Sequence, residues 1–546
     1  MVIFITQMIL RTVTASLVKD YSASGQINYP DAVFDYCNVT LAYSHTGRED
    51  QIQLQLWLPS PGRFQNRWLS TGGGGFAINS GSKFIAGGPV YGAAGGLTDG
   101  GFGGFDNQLD AVFPTANGTA NWNAIYSIGY EAHQELALIG KAFTQSFYET
   151  QEKQYAYYMG CSEGGREGWS QVQRFPDLFD GVIIGAPAIH YGQQQVNHLF
   201  PDVVEQTIGY YPPPCEMEKI MNLTIAACDA LDGKVDGVVA RSDLCKLHFN
   251  VNSTIGQPYH CPATTTSEAL RRKKRVSVSY TTPAQNGTVS AEGALAASIM
   301  LEGLHTQDGK QAYMWYQPGS AFSDAETQYN ADTDSWELSI TALGGEWVAR
   351  FLELRAADNL DTLQNVTYDT LKEWMQLGWT RYADSLQTQW PDLTAFHEAG
   401  GKILHYHGES DASIPTSSSV RYHDSVRRTM YPGQTYNDSI AALGDWYRLF
   451  LVPGAAHCEL NPYEANGPFP QTNIGVMIDW VENGVFPTTL NATHLAGPSL
   501  GANAQLCAFP LRPLWTNNGS SMECVYDQAS IDTWHYDLDA WSLPLY

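Results

Sequence analysis

The sequence predicts an α/β fold. Residues 154–160 (QYAYYMG) have the pattern of a buried strand, residues 163–175 that of a helix, and residues 180–188 (DGVIIGAPA) that of a second short buried strand. Strand, sharp turn, helix and strand in this order are typical of a βαβ unit in a parallel sheet. The same kind of strand returns far downstream, at 400–408 (GGKILHYHG) and 446–454 (WYRLFLVPG).

The stretch between these two groups of strands does not follow the pattern. From about residue 196 to 385 the strand and helix signals weaken, and a PPP triplet and a basic run appear. We therefore predict a main α/β domain formed by residues 1–195 and 386–546. Residues 196–385 are predicted to form an inserted domain.

Four further segments complete the predicted main domain. QIQLQLWLP (51–59) alternates with period two, which favours a half-buried strand. NRWLST runs into the four glycines of 72–75, so a strand followed by a tight loop is predicted there. Residues 121–148 have helical spacing, and 474–484 form a last amphipathic helix.

Composition excludes several classes of protein. Hydrophobic residues make up 43% of the 546-residue chain and charged residues 16%, so a large core is expected and wholesale disorder is not. The formal net charge of −26 repels phosphate backbones, which disfavours nucleic-acid binding. No run of 18 apolar residues exists, so no membrane span is predicted.

Nine cysteines and nine N-x-S/T sequons favour a secreted, glycosylated protein with disulfides. Residues 1–20 are nevertheless a poor signal peptide, because Gln7 and Arg11 interrupt the apolar stretch. We expect that the true N-terminus is missing or mispredicted. The sequon asparagines are Asn38, Asn117, Asn222, Asn252, Asn286, Asn365, Asn437, Asn491 and Asn518.

The strongest chemical motif is Gly160-Cys161-Ser162-Glu163-Gly164. It matches G-x-S-x-G and lies between a predicted strand and a predicted helix. In α/β-hydrolases this turn raises a nucleophilic serine above the sheet and points the next backbone N–H at the developing oxyanion. Ser162 is therefore predicted to be a nucleophile.

A serine nucleophile needs a base and an acid that orients the base, and in this fold they follow in the order Ser, Asp, His. Asp411 and His457 come directly after the two downstream strands, where this chemistry requires them. The alternative interpretation is that Asp411 caps a turn and His457 is a structural loop histidine. Their shared order and placement favour the catalytic interpretation.

Two cysteines flank these candidates. Cys161 precedes Ser162 and Cys458 follows His457, so the cysteines lie close enough to bridge if the two side chains are in hydrogen-bond reach. A Cys161–Cys458 disulfide would then hold the two loops together. Cys161 as a nucleophile is the poorer interpretation, because the residue before such a serine is normally buried.

The CS pair, the distant Asp and the HC pair resemble the tannase and feruloyl esterase family, and further phrases are similar to fungal tannases. These phrases span nearly the whole chain from about residue 35. They are DYCNVTLAYSHTG (35–47), TGGGGFAINSG (71–81), GREGWSQVQR (165–174), YYPPPCE (210–216), LTIAACDALDG (223–233), LHYHGESD (404–411) and IDTWHY (531–536).

This resemblance implies an α/β-hydrolase fold with a large inserted lid domain, and hydrolysis of galloyl esters of hydrolysable tannins with release of gallic acid. It implies Ser162 as nucleophile, His457 as base and Asp411 as its orienting acid. The oxyanion donors would be the Glu163 N–H and that of Gly74 or Gly75, although the glycines alternatively form only a permissive turn.

A feruloyl esterase and a non-catalytic esterase-like binding protein are the competing interpretations. The partner is a small-molecule or polyphenolic ester, with no organic cofactor.

The family also implies a structural calcium site in CDALDGKVDGVV (228–239). The side chains of Asp229, Asp232 and Asp236 and the carbonyls of Lys234 and Val238 are the expected ligands, since Ca²⁺ prefers six or more oxygens. The alternative is a simple cluster of Asp-Gly turns.

His405 and His407 lie on one strand face and could form a metal-binding pair. This interpretation is disfavoured because no third ligand is in view.

The resemblance also implies how the remaining cysteines pair. Cys228 pairs with Cys245 around the calcium loop, Cys215 with Cys261, and Cys507 with Cys524. Cys37 is left over, because the family's upstream partner cysteine is missing here.

The basic run RRKKR (271–275) resembles a processing site, and fungal tannases resemble two-chain enzymes cut in this region. Cleavage after Arg275 would place Ser162 and His457 on different polypeptides. An uncut, solvated loop is the alternative.

Overall fold

The structure is a computed structural model that describes residues 8–269 and 277–546. Its central feature is a nine-stranded sheet with helices on both faces. The strands are β1 (Met8–Ala23), β2 (Ala32–His45), β3 (Ile52–Pro59), β4 (Arg67–Thr71), β5 (Ala93–Thr98), β6 (Tyr155–Cys161), β7 (Gly181–Gly185), β8 (Lys402–Gly408) and β9 (Tyr447–Val452).

The sheet has the order β1-β2-β3-β5-β4-β6-β7-β8-β9. Strands β1, β2, β3 and β5 pair antiparallel in that order, and every pair from β5 to β9 is parallel. The parallel strands come from both ends of the chain, since β8 pairs with β7 although more than 200 residues separate them. The α/β-hydrolase type of fold predicted from the sequence is therefore present.

Alternation along the central strands explains why both faces are covered. Tyr158, Ile184 and Ile403 face one core, whereas their neighbours Tyr157 and Ile183 face the other. Helices cover both sides, because a parallel sheet that is apolar on two faces must be shielded twice. The α-helices of seven residues or more are α1 (Ala132–Phe147), α2 (Glu163–Arg174), α3 (Tyr191–Asn197), α4 (Phe200–Ile208), α5 (Pro214–Cys228), α6 (Ser242–His248), α7 (Ala291–Glu302), α8 (Tyr368–Arg381), α9 (Thr416–Met430), α10 (Tyr436–Gly444) and α11 (Asn473–Asn483).

Shorter elements complete the fold. The short helices are Ser82–Ile85, Gly87–Val90, Leu109–Val112, Trp122–Tyr126, Ala342–Glu346, Thr394–Glu398 and Gln528–Asp532, with 3₁₀ turns at Asp229–Asp232, Val251–Thr254 and Pro462–Glu464. The small sheets pair Pro114–Ala116 with Thr119–Ala120, Pro258–Cys261 with Gln285–Thr288, Thr264–Ala269 with Ser277–Thr282, Thr327–Asn330 with Ser335–Leu338, Pro468–Phe469 with Thr489–His494 and Asn503–Cys507, and Arg512–Thr516 with Ser521–Val525.

The segment predicted as one helix over 121–148 is interrupted. It forms Trp122–Tyr126, a π-helical turn at Ser127–Glu131, and then α1. At the π turn a Cβ on Gly129 would lie 3.1 Å from the Ser385 carbonyl oxygen, so the widened turn coincides with a close backbone approach.

Within the described residues, 196–385 contributes no strand to the large sheet. This segment instead supplies most of a second core that contains Trp315, Trp347 and Phe351 and reaches Phe76 and Ile78 beside the glycine loop. The inserted segment therefore packs over the part of the sheet where the predicted serine lies. The residue limits of the two domains stay a prediction.

All four predicted disulfides are present: Cys161–Cys458, Cys215–Cys261, Cys228–Cys245 and Cys507–Cys524. Cys37 is the free cysteine and is partly buried on β2. In the described ranges no helix combines the length and the apolar character needed to cross a membrane.

Candidate active site

Ser162 occupies the turn between β6 and α2, in a backbone conformation that side chains rarely adopt (φ 65°, ψ −123°). The flanking glycines explain how the turn forms. A Cβ on Gly160 would collide with the Gly164 carbonyl, and one on Gly164 would lie 2.8 Å from the Gly73 oxygen. Only glycine permits these approaches, and the serine is held above the end of the strand as the motif predicts.

The structure brings Ser162, His457 and Asp411 together. His457 Nε2 lies 2.8 Å from Ser162 Oγ, and its Nδ1 lies 2.7 Å from Asp411 Oδ2. Asp411 follows β8 and His457 follows β9, so the three side chains stand on loops at the same edge of the parallel strands. The spacing is that of a nucleophile, a base and an orienting acid.

The electrostatics favour an ionised Asp411. Burial raises the pKa of its carboxyl, but the His457 charge and hydrogen bonds from His407 and His457 outweigh burial and leave that pKa well below its ordinary value. Burial lowers the pKa of His457, yet the Asp411 charge and hydrogen bond leave it above its usual range. Asp411 therefore stabilises the imidazolium that forms when His457 takes a proton.

Asp411 is fixed by four hydrogen bonds. Its Oδ1 accepts the backbone N–H groups of Ser413 and Ile414, each at 2.8 Å. Its Oδ2 accepts from His457 and, at 3.1 Å, faces His407 Nε2. His407 entered the sequence analysis only as half of a disfavoured metal pair, so sequence reasoning missed its contact with Asp411. The available signal was the spacing of His407 and Asp411 across the end of one strand.

The glycine loop distinguishes between the two candidate oxyanion donors. The Gly74 N–H is bound to the Ala77 carbonyl at 3.0 Å, whereas the Gly75 N–H has no hydrogen-bond acceptor among the described residues and Gly75 has a positive φ of 62°. The loop is anchored on α2, because Glu167 accepts the Gly73 N–H at 2.9 Å and the Gly164 N–H binds the Gly73 carbonyl at 3.1 Å. Gly75 is therefore the better candidate of the two.

The second predicted donor, the Glu163 N–H, belongs to the first turn of α2. A helix leaves its first N–H groups without an internal acceptor and carries partial positive charge there. The Glu163 side chain points elsewhere, since it pairs with buried Arg166 at 2.6 Å. The backbone group thus stays suited to an oxyanion while its side chain is engaged.

The predicted calcium loop is held by its own hydrogen bonds. Asp229 Oδ1 accepts the N–H groups of Asp236, Gly237 and Val238 at 2.9, 3.0 and 3.4 Å, and Lys234 Nζ pairs with Asp236 at 2.8 Å. Burial and the charges of Asp236 and Asp229 raise the pKa of Asp232 to about 6.

That crowding of acidic groups suits a cation, but the arrangement does not form a cage. Nowhere in the described ranges do three or more His, Cys, Asp or Glu side chains converge in a way that could hold a metal ion. The calcium site with its five predicted ligands therefore stays a prediction.

Glu464 links this loop to the candidate active site. Its carboxylate accepts the Val239 N–H at 2.6 Å and a hydrogen bond from Ser410, the residue before Asp411. Glu464 itself belongs to the loop that follows His457.

The basic run 271–275 and the predicted cleavage after Arg275 lie outside the described residues.

The fold and site together define an α/β-hydrolase with a serine, histidine and aspartate arranged as a catalytic triad. A model of the family described as "Tannase and feruloyl esterase" matches residues 37–531, and the chain belongs to this family.

The proteins similar to this chain include both tannases and feruloyl esterases. The chain is 51% identical over 526 residues to a protein of Aspergillus oryzae named Tannase, covering 94% of this chain and 89% of the relative. The solved structure of a tannin acyl hydrolase from Aspergillus niger matches with a TM-score of 0.94 and 57% identity, covering 100% of this chain and 96% of that one. Feruloyl esterase B from Aspergillus oryzae matches with a TM-score of 0.73 and 25% identity, over 95% and 97%.

Proposed function

We propose that this protein is a serine esterase that hydrolyses galloyl esters of hydrolysable tannins and releases gallic acid. The observation that carries the proposal is the relay from Ser162 through His457 to buried Asp411, at 2.8 and 2.7 Å. The high identity to proteins named for tannin hydrolysis favours the galloyl acyl group.

The geometry supports a two-step acyl transfer. Ser162 Oγ attacks the ester carbonyl carbon as its proton passes to His457 Nε2, and the carbonyl oxygen becomes an oxyanion facing the Glu163 and Gly75 N–H groups. The tetrahedral intermediate collapses when His457 gives that proton to the leaving alcohol. Galloyl-Ser162 remains as the acyl-enzyme.

Deacylation repeats the sequence with water. A water molecule gives a proton to His457 Nε2 and attacks the acyl carbon. As the second tetrahedral intermediate collapses, His457 gives that proton to Ser162 Oγ and gallic acid leaves. Asp411 keeps its charge throughout and stabilises the imidazolium in both steps.

A feruloyl or related hydroxycinnamoyl esterase is the second candidate, because other similar proteins carry that name and the same machinery serves either acid. The deciding experiment compares kcat/KM for methyl gallate and methyl ferulate with purified protein, with Ser162→Ala alongside. Gallate preference that vanishes in the variant supports the proposal. Ferulate preference moves the substrate to the second candidate, and activity that survives in Ser162→Ala removes the nucleophile.

We also propose that the protein is secreted and glycosylated. All nine sequon asparagines have accessible surface: Asn117, Asn222, Asn252, Asn286, Asn365, Asn437 and Asn518 are exposed, and Asn38 and Asn491 are partly buried. A glycan needs a surface asparagine in a secreted chain, so this placement supports the proposal. Enzymatic deglycosylation of protein from the culture medium of a fungal host should lower its apparent mass; an unchanged mass would contradict it.

A further inference from the structure

A buried chain of polar side chains extends from Asp411 into the core of the main domain. His407 Nε2 lies 3.1 Å from Asp411 Oδ2, and Ser419 Oγ lies 2.7 Å from His407 Nδ1 and 2.8 Å from His405 Nε2. His405 Nδ1 in turn lies 2.9 Å from the Tyr447 hydroxyl. All five side chains are completely buried.

The direction of each hydrogen bond follows from the groups at the Asp411 end. His407 Nε2 faces two acceptors, Asp411 Oδ2 and the Ile414 carbonyl oxygen at 3.1 Å, so this nitrogen carries the hydrogen and donates. We assign His407 the tautomer with its hydrogen on Nε2, so Nδ1 accepts and the Ser419 hydroxyl donates to it.

The remaining two bonds are fixed in the same way. Once Ser419 Oγ has donated its hydrogen to His407, it accepts from His405 Nε2–H. His405 Nδ1 is left as an acceptor, and the Tyr447 hydroxyl donates to it. Burial keeps the pKa of His405 well below its ordinary value, which agrees with a neutral ring. Every donor in the chain therefore points toward Asp411.

We propose that His407 is a positioning residue of the esterase, which holds Asp411 in register with His457 and whose own ring is held in place by Ser419. The proposal rests on the triad roles proposed above. His407 and His457 donate to the same carboxylate oxygen, so the position of that oxygen depends on both. Because His407 is completely buried, it acts on the reaction only through Asp411.

Three consecutive serines of α9 provide a matched test. Ser417, Ser418 and Ser419 are all buried, but only the Ser419 hydroxyl contacts the histidines, and that of Ser418 has no hydrogen-bond partner among the described residues. Ser419→Ala should lower kcat for methyl gallate by about 3- to 10-fold with KM nearly unchanged. Ser418→Ala, which removes the same atom one position away, should leave kcat unchanged.

Substitution of His407 should lower kcat more than substitution of Ser419, and a conservative substitution at the same position should restore it. His407→Leu should lower kcat by about 10- to 100-fold with KM nearly unchanged, because a donor to a charged group is lost. His407→Gln should recover most of that loss, since its amide nitrogen lies as many bonds from Cβ as Nε2 does. If His407 were needed only for folding, His407→Leu and His407→Gln with equal melting temperatures would have equal kcat.

The rate at which a fluorophosphonate labels Ser162 is measured for every variant, because that reaction reports serine activation without any acyl group. Slower labelling in Ser419→Ala and His407→Leu, with normal labelling in Ser418→Ala, supports the proposal even if methyl gallate proves to be a poor substrate. Equal labelling and equal kcat in Ser419→Ala and Ser418→Ala, or full activity in folded His407→Leu, would overturn it. Should His407→Leu fail to fold, the serine pair decides alone.

Discussion

Cys161 and Cys458 are joined by a disulfide bond with their Cα atoms 6.0 Å apart, although 297 positions separate them in the chain. Cys161 precedes Ser162 and Cys458 follows His457, so the bond connects the two loops whose side chains meet at 2.8 Å. Ser162 and Cys458 both have positive φ angles, of 65° and 58°. Two strained backbone positions are thus held in one relative placement by a covalent link.

Removing this link should reduce both stability and activity. The chain-entropy limit for so long a loop is about 6 kcal/mol, and replacing both cysteines with alanine should lower the free energy of unfolding by about 2–4 kcal/mol, since three other disulfides already restrain the unfolded chain. We expect kcat to fall while KM changes little, because substrate contacts remain. Chemical denaturation and methyl gallate kinetics measure the two effects.

The Cys507–Cys524 pair, with a sequence separation of 17, is the control. Its double alanine variant should lose stability without a matching loss of kcat. Equal losses of kcat in both double variants would show that the Cys161–Cys458 bond has no specific part in the geometry.

The glycine loop predicts different outcomes for neighbouring substitutions. Gly75→Ala forces a side chain into a left-handed conformation, at a cost of about 1–2 kcal/mol, and should displace the N–H proposed to bind the oxyanion. We expect a loss of kcat of about tenfold or more, since removing an oxyanion donor costs about 10²–10³. Gly74→Ala enters open space and should be close to wild type. Similar kinetics for the two variants would contradict the assignment of Gly75.

The sequence was sufficient for the parts of the site that local pattern encodes. The serine turn depends on close backbone approaches that only glycine allows, and those glycines stand beside Ser162 in the chain. Asp411 and His457 follow strands whose hydrophobic runs are visible, so their meeting at one sheet edge follows from topology. The Cys161–Cys458 bond followed from the same argument.

Relations that depend on side-chain placement were not predictable in this way. Strand alternation places His405 and His407 on one face. It does not reveal that Ser419 lies between them, because Ser419 belongs to a helix and comes twelve residues after His407. Nor does a glycine run show which N–H is already bound, and the Gly74 bond to Ala77 appears only in the folded loop.

Calcium binding is testable by its effect on stability. If the loop at 228–239 binds Ca²⁺ in solution, removing the ion with EGTA should lower the melting temperature, because an ion at about 100 times its Kd stabilises the folded state by about 2.7 kcal/mol. Added Ca²⁺ should restore it and Mg²⁺ should not, since Mg²⁺ dehydrates reluctantly. An unchanged melting temperature, with no calcium found by elemental analysis, would show that the Asp229 hydrogen bonds and the Lys234–Asp236 pair hold the loop without metal.

Asp411→Asn should separate the electrostatic role of Asp411 from its space-filling role. Loss of the charge leaves His457 in the wrong tautomer and should lower kcat by about 10⁴-fold. Because the Asp411 charge raises the pKa of His457, its removal should also shift the acid limb of the kcat/KM profile to lower pH. A limb that stays in place would mean that His457 is not the group titrating in the wild-type profile.

Buried Glu205 on helix α4 should contribute more to stability in acid than at neutral pH. Burial, and then the charges of Asp202 and Glu326, raise the pKa of its carboxyl from 4.5 to about 10. Between these values the folded protein holds a proton that the unfolded chain has lost, so folding takes up one proton. The contribution of this group to stability therefore falls as pH rises, by about 1.4 kcal/mol per pH unit.

Glu205→Gln removes this dependence, because the amide is neutral in both states. We expect the variant to match wild type at about pH 4 and to be more stable by roughly 3–5 kcal/mol at about pH 8, measured by chemical denaturation across that range. Exposed Glu373 on helix α8 is the control, and Glu373→Gln should follow wild type at every pH. If Glu205→Gln and wild type lose stability in parallel as pH rises, Glu205 is ionised in the folded protein, and the acid preference must come from other buried carboxyl groups such as Asp202.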